Sequence, residues 1–193
     1  MVNQKNNGKV IIFSAPSGTG KTSIVQLLLQ KQINLSFSIS ACTRKKRDNE
    51  IDGVHYYFLT LDSFKSKIAN ASFIEWEEVY QNQYYGTLKE EIERIWENNN
   101  HVIFDVDVKG GIALKKHFGD NALSIFIEPP SIEELRNRLI QRGTEDNTSL
   151  NKRVDKATLE LSYKNEFDIV IVNEILDNAC NEAEVLIKKF ITA

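Results

Sequence analysis

The sequence predicts an α/β protein with a doubly wound parallel sheet at its core, and three observations support this. Short apolar runs rich in β-branched residues alternate with segments of helical periodicity, as in strands covered by helices on both faces. A glycine-containing loop and a helix directly follow the first run. An aromatic-rich stretch interrupts the alternation and predicts an inserted small antiparallel β subregion. The apolar runs are residues 10–13, 102–106, 122–127 and 169–172, and residues 36–40 are a fifth candidate strand.

The loop after the first strand has the composition of a phosphate-binding loop (P-loop). It runs from Ser14 to Thr22. Small residues such as Gly18 and Gly20 let backbone N–H groups turn toward an anion, and the helix N-terminus behind them favours negative charge. Lys21 can then reach the β- and γ-phosphates of a nucleotide, and the Thr22 hydroxyl can bind magnesium. A chance glycine-rich turn is the alternative, and the order strand, loop, helix argues against it.

Length, net charge and cysteine content argue against several classes of protein. A chain of 193 residues fits one domain, and its net charge of −3 argues against non-specific nucleic-acid binding as the main activity. Two cysteines are too few for a disulfide framework, and no segment is long and apolar enough to span a bilayer. We expect a cytoplasmic protein that binds neither nucleic acid nor a membrane. The sequence does not specify an oligomeric state.

The chain is predicted to form a single domain over residues 1–193. The predicted core covers about 8–41 and 99–190, the inserted subregion about 42–98, and a helical lid about 138–153. Capping boxes are predicted to start two helices, one at Ser131 and one at Thr87, since each residue is followed three positions later by glutamate. Further helices are predicted from about 149 and over 178–190, and short antiparallel strands are predicted near 55–58, 73–76 and 84–85.

Two arginine groups could bind phosphate. Arg44 and Arg47 are three residues apart and could form bidentate contacts to a phosphate monoester, although a solvated basic loop is the alternative. Arg138, Arg142 and Arg153 flank the predicted lid and could close over phosphates in the transition state. The alternative for this second group is pairing with nearby carboxylates or exposure on a helix surface.

Two aspartates end the second buried strand run. Asp105 and Asp107 are predicted at the carboxyl end of that strand, where ligands of α/β sheets bind. Either could orient magnesium directly or through water, and the alternative is a cap on the following helix. The spacing alone does not separate the two roles.

Nearly the whole chain, about residues 8–190, resembles the guanylate kinase family. The resemblance extends beyond the P-loop, which many unrelated folds share. One segment that carries it is residues 37–47, FSISACTRKKR, followed by Glu50, Gly53 and residues 56–58, YYF. The others are residues 73–76, FIEW; 84–87, YYGT; 105–110, DVDVKG; 129–131, PPS; 142–144, RGT; and 171–173, IVN.

This resemblance implies a fold, an activity and a set of site residues. It implies the α/β P-loop core with an inserted GMP-binding subregion and a lid, and transfer of the γ-phosphoryl group of ATP to GMP, and to dGMP as well, with Mg²⁺. ATP would contact Ala15, Pro16, Ser17, Gly18, Thr19, Gly20, Lys21, Thr22 and Asn173, and GMP would contact Ser40, Arg44, Arg47, Tyr56, Glu75, Tyr85, Thr87 and Asp107. The catalytic residues would be Lys21, Arg44, Arg138, Arg142 and Arg153, and Thr22 and Asp105 would place Mg²⁺, the aspartate through water. The chain departs from the family pattern at Ala15, which replaces a glycine.

Guanine recognition also makes independent chemical sense. Guanine presents N1–H and an exocyclic amino group as donors on one edge, and O6 as an acceptor. A carboxylate such as Glu75 accepts from both donors, and a hydroxyl such as Ser40 donates to O6. Adenine would leave these groups unpaired.

Two other functions remain compatible with the sequence. One is a kinase for a different nucleoside monophosphate on the same core, against which Glu75 and Ser40 argue. The other is a non-catalytic guanylate-kinase-like module that binds phosphorylated proteins. Such modules lose the P-loop or its lysine, whereas Lys21 and Thr22 are present here.

Overall fold

The computed structural model describes residues 8–141 and 147–193. The described chain divides into two compact units. The core unit comprises Lys9–Leu35 and Ile103–Ala193, and the β unit comprises Gly8 and Ser36–Val102. The chain passes from one unit to the other within strands β2 and β7, defined below.

The described chain contains nine strands and seven α-helices. The strands are β1 (Val10–Ser14), β2 (Leu35–Phe37), β3 (Ala41–Cys42), β4 (Tyr57–Phe58), β5 (Phe73–Tyr80), β6 (Gln83–Leu88), β7 (His101–Val106), β8 (Ala122–Glu128) and β9 (Ile169–Val172). The helices are α1 (Lys21–Leu29), α2 (Leu61–Ala69), α3 (Lys89–Glu97), α4 (Val108–Phe118), α5 (Ile132–Gln141), α6 (Asn147–Leu161) and α7 (Leu176–Thr192).

The core unit is built on a five-stranded sheet, as the apolar runs predict. Its strand order is β2-β7-β1-β8-β9. β1 pairs in parallel with β8, with Val10 opposite Ala122, and β8 pairs in parallel with β9, with Ile125 opposite Ile169. Every residue of β1 is buried, which explains why its sequence is a continuous apolar run rather than an alternating one. The α/β fold with a parallel sheet core is therefore confirmed.

The β unit contains a four-stranded sheet with the order β4-β3-β6-β5. β5 and β6 form an antiparallel hairpin, and β3 is antiparallel to β6. β4, however, is parallel to β3, so the predicted antiparallel subregion is a mixed sheet and the prediction for 55–58 is wrong in direction. The long connection between β3 and β4 allows this crossover, which a tight turn would not. Phe64 of α2 covers the sheet, with its ring 4.3 Å from that of Phe73.

The two predicted capping boxes have different outcomes. The Ser131 hydroxyl accepts from the backbone N–H of Glu134 at 3.0 Å, and α5 begins at the next residue, as predicted. Thr87 does not cap α3, which has Leu88 at its N-cap and no side-chain cap among the described residues. Thr87 is a fully buried residue of β6, and its hydroxyl donates to Glu75 instead. A cross-strand partner has displaced the local capping contact.

In the described ranges, none of the helices combines the length and apolar character that crossing a bilayer requires.

Candidate active site

The P-loop joins β1 to α1 in the core unit. Gly18 and Gly20 have φ of +94° and +89°, in the left-handed region that favours glycine. The buried Thr19 hydroxyl donates to the Pro16 carbonyl at 3.1 Å and fixes the loop internally. Among the described residues no side chain caps α1, and the free N–H groups of a helix's first turn are suited to binding an anion. Ala15 does not have a positive φ, so the loop accommodates its methyl group without backbone strain.

Asn173 holds the P-loop from the end of β9. Its side-chain amide donates to the Thr19 carbonyl at 2.7 Å, and its backbone N–H donates to the Glu128 carbonyl at 2.8 Å. A Cβ at Gly20 would lie 2.4 Å from Asn173 Nδ2, so only glycine fits there. Asn173 is 3% exposed, and its Oδ1 has no hydrogen-bond partner among the described residues. Asn173 therefore both supports the loop and retains an acceptor.

The structure brings together the predicted phosphate and magnesium groups. Lys21 Nζ pairs with Asp105 Oδ1 and donates to the Val106 carbonyl at 2.7 Å, and the Thr22 hydroxyl donates to Asp105 Oδ2 at 2.6 Å. These contacts assign Asp105 to the P-loop, which the spacing alone could not do. A hydroxyl and a carboxylate oxygen side by side suit Mg²⁺. Two protein oxygens fit a Mg²⁺ that takes its remaining ligands from water and phosphate.

Asp107 has a different position from Asp105. It is the N-cap of α4, where its Oδ1 accepts from the backbone N–H of Gly110 at 2.8 Å. The capping alternative therefore holds for Asp107, and its predicted guanine contact remains a prediction. Glu160, which is not among the residues predicted from the sequence, lies close enough to Asp107 and Lys21 to interact with their charges. Burial raises the pKa of its carboxyl group.

A cleft of about 360 Å³ adjoins the P-loop in the core unit. Arg138 of α5 lines this cleft, together with Gly18, Gly20, Ser23, Gln141, Asn173, Glu174 and Leu176. Arg138 is not free: its Nε donates to Glu134 Oε1 at 2.8 Å. α5 packs against the loop, because a Cβ at Gly18 would lie within 3.1 Å of the Leu135 and Leu139 side chains. One of the predicted lid arginines thus lies beside the P-loop.

The other two lid arginines have separate outcomes. Arg142 lies outside the described residues. Arg153 is exposed on α6, and its approach to the phosphates stays a prediction.

In the β unit, Arg44 is held by a carboxylate and two aromatic rings. Its Nη1 and Nη2 donate to the two oxygens of Glu50 at 2.6 and 2.5 Å. Its guanidinium carbon lies 4.8 Å from the Tyr56 ring centroid and 5.5 Å from that of Phe58. Hydrogen bonding to Arg44 lowers the pKa of Glu50 to about 2, and the same bond raises the pKa of Arg44. The guanidinium is therefore permanently charged and fixed in orientation.

Glu50 organises both arginines of this segment. Its Oε2 also accepts from the backbone N–H of Arg47 at 2.9 Å, while the Arg47 side chain is exposed. From the sequence, Glu50 has no predicted role beyond its place in the family pattern. A carboxylate three residues after an exposed arginine reads as a surface charge, so only the folded loop reveals its function.

The remaining predicted GMP residues lie on neighbouring strands of the β unit. Tyr85 of β6 is edge-on to Tyr56, with ring centroids 6.1 Å apart. Glu75 of β5 is opposite Thr87 of β6, and the Thr87 hydroxyl donates to Glu75 Oε1 at 2.7 Å. This bond orients the carboxylate that is predicted to contact the base. Ser40 directly precedes β3, and its carbonyl accepts from the Tyr57 N–H at 2.9 Å.

The fold and the P-loop define a class of protein. A glycine-containing loop between the first strand and first helix of a parallel sheet, with a carboxylate on the neighbouring strand paired to the loop's lysine, defines a P-loop nucleotide-binding protein.

Comparison with known proteins identifies the family within this class. The family model "Guanylate kinase" matches residues 7–190. The chain is 50% identical over 184 residues to a guanylate kinase of Bacteroides thetaiotaomicron, covering 95% of the chain and 90% of that protein. It is also 50% identical to a guanylate kinase of Porphyromonas gingivalis, covering 95% and 98%. The crystal structure of guanylate kinase from Anaplasma phagocytophilum matches with a TM-score of 0.76 at 26% identity, covering 96% of this chain and 87% of that one. The chain belongs to the guanylate kinase family.

Proposed function

We propose that this chain transfers the γ-phosphoryl group of ATP to GMP, giving ADP and GDP, and that it also accepts dGMP. Membership of the family makes it an enzyme of the nucleoside monophosphate kinase class. The observation that carries the proposal is the meeting of Lys21, Thr22 and Asp105 at the P-loop. That arrangement supports catalysis over the non-catalytic alternative, because a module that only binds a partner needs none of these groups.

In the proposed reaction the core unit binds ATP. The loop 15–22 surrounds the phosphates, and the adjoining cleft with Asn173 takes the adenine. Thr22 and Asp105 would hold Mg²⁺, which supplies charge neutralisation at the ATP phosphates when bound. Lys21 balances the charge of the β- and γ-phosphates. Arg138, Arg142 and Arg153 are proposed to approach the phosphates as charge shifts in the transition state.

The β unit is proposed to bind GMP. Arg44, Arg47, Tyr56 and Tyr85 hold its phosphate, and Ser40, Glu75 and Thr87 contact the guanine, with Asp107 as a further contact from the core unit. The pairing of Arg44 with Glu50 supports this, since it fixes the orientation of a permanently charged guanidinium in this segment. The phosphate of GMP is already nucleophilic, so the reaction needs no strong general base. We further propose that the enzyme acts in the cytoplasm without nucleic acid or membrane partners.

The test is ADP release from ATP and Mg²⁺ with GMP, dGMP, AMP, CMP or UMP offered in parallel. The proposal predicts turnover with GMP, and with dGMP behind it, while Glu75→Gln loses GMP turnover by about 10²-fold because one acceptor becomes a donor. The exposed Glu93→Gln is the matched control and should keep wild-type rates. Turnover with another monophosphate would leave the chemistry and overturn the base assignment. No turnover with any of them would favour the binding module.

A further inference from the structure

Glu91 of α3 is a buried carboxylate that is not among the predicted substrate contacts. It is 1% exposed and lies in the β unit. Its Oε1 accepts from the Ile39 backbone N–H and from Arg94 Nη2, and its Oε2 accepts from the Tyr57 hydroxyl and Arg94 Nε, all at 2.9 Å. A carboxylate this buried is costly unless its oxygens are fully hydrogen-bonded. The groups that donate hydrogen bonds to Glu91 therefore indicate which part of the structure its carboxylate holds in place.

Two of those partners, Ile39 and Tyr57, adjoin or contact Ser40. Ile39 directly precedes Ser40 in the chain. The Tyr57 backbone N–H donates to the Ser40 carbonyl at 2.9 Å. Residues 38–40 belong to neither a helix nor a strand in the described chain. The bond from Glu91 to the Ile39 N–H and the bond from the Tyr57 N–H to the Ser40 carbonyl therefore hold the backbone on either side of the Ser40 side chain.

We propose that Glu91 is a positioning residue for guanine recognition, which fixes Ser40 through the Ile39 N–H and the Tyr57 side chain. The inference rests on the proposed function, in which the Ser40 hydroxyl donates to guanine O6. Glu91 itself touches no substrate. It sets the backbone that carries the hydroxyl, so its effect is confined to the monophosphate.

The bonding pattern requires a carboxylate rather than an amide. Both oxygens accept, Oε1 from Ile39 and Arg94 and Oε2 from Tyr57 and Arg94. A glutamine in either flip would turn one of these acceptors into a donor that faces other donors. Glu91→Gln therefore disrupts one side of the arrangement while nearly preserving volume.

The experiment combines Glu91→Gln with Ser40→Ala in a double-mutant cycle. KM for GMP, KM for ATP and kcat are measured for both single variants and the double variant, with thermal unfolding as a check on the fold. Glu93→Gln is the matched control, since it makes the same chemical change on the exposed face of α3. Tyr57→Phe is the second probe, because it removes one hydroxyl from Glu91 and leaves the Tyr57 backbone bond to Ser40 intact.

The inference predicts that Glu91→Gln raises KM for GMP about tenfold and Tyr57→Phe about threefold, while KM for ATP stays within about twofold. In the Ser40→Ala background the Glu91→Gln effect should disappear, because the hydroxyl that it positions is gone. Folded Tyr57→Phe and Glu91→Gln proteins with unchanged KM for GMP would overturn the inference. An equal effect of Glu91→Gln with and without the Ser40 hydroxyl would overturn it as well.

The cycle also separates this inference from the proposed function. If Ser40→Ala alone leaves KM for GMP unchanged, the guanine contact assigned to Ser40 fails and the role of Glu91 fails with it. If Ser40→Ala raises that KM but Glu91→Gln does not, only the positioning role fails. If Glu91→Gln only lowers the unfolding temperature and the apparent kcat, with no selective rise in KM for GMP, Glu91 has a structural role alone and the inference is overturned.

Discussion

The candidate sites of the core unit and the β unit differ in composition: backbone groups dominate the first and side chains the second. In the core unit the phosphate site is a contiguous loop whose geometry comes from two glycines and a helix N-terminus, with Lys21 next in the chain. In the β unit the predicted site comes from side chains on four separated segments, and two of these side chains, Arg44 and Glu75, are oriented by Glu50 and Thr87. The backbone site recognises phosphate wherever it occurs, whereas the side-chain site can distinguish one base from another.

Lys21→Met should produce the largest effect, because it removes the charge that the backbone loop cannot replace. We expect kcat/KM to fall about 10³-fold, since a preorganised donor to the transferred group is lost. ADP release with saturating GMP measures this. Lys116→Met, an exposed lysine on α4, is the control and should retain wild-type turnover. A fall of less than tenfold would show that the P-loop lysine is not central to transfer.

Thr87→Val should produce a smaller effect, limited to the side-chain site. The change keeps the shape of a fully buried residue but removes the hydroxyl that donates to Glu75. KM for GMP should rise about tenfold, as expected when a hydrogen bond to a charged group is lost, with KM for ATP unchanged. Steady-state kinetics with each substrate varied in turn provides the measurement. Thr158→Val, which removes a hydroxyl from α6, controls for the loss of a threonine hydroxyl elsewhere. An equal rise in both KM values would contradict the separation of the two sites.

Glu50→Gln should produce the smallest of the three effects, a loss of folding stability that depends on pH. The folded-state pKa of Glu50 is about 2, below its ordinary value of 4.5, so its ionised form stabilises the folded state above pH 4.5. That contribution is lost as the pH falls from about 4.5 to about 2. Urea unfolding between pH 7 and pH 2 should show wild type more stable than Glu50→Gln near neutrality, with the free energies of unfolding of the two proteins converging as the pH falls from about 4.5 toward about 2. Parallel curves at all pH values would show that the pairing with Arg44 does not stabilise the fold.

The strands and the P-loop of the core unit are predicted well because both are local features of the sequence. Continuous apolar runs identify buried parallel strands, and the P-loop residues are adjacent in the chain, so periodicity and spacing capture both. In the β unit, the spacing of Thr87 and Glu90 predicts a helix cap, whereas the partner of the Thr87 hydroxyl is Glu75, across a hairpin. The parallel direction of β4, the bidentate hold on Arg44 and the burial of Glu91 also depend on distant contacts, which no local pattern encodes. Likewise, Asp105 and Asp107 separate only once their partners Lys21 and Gly110 are known.

Calorimetric titration of GMP into wild type, Lys21→Met and Thr87→Val tests most directly whether the two substrates are held by separate sets of residues. We expect Lys21→Met to bind GMP with a Kd within about twofold of wild type, and Thr87→Val to bind it about tenfold more weakly. Loss of GMP binding in Lys21→Met, with unchanged binding in Thr87→Val, would show that the two substrates are not held by separate sets of residues.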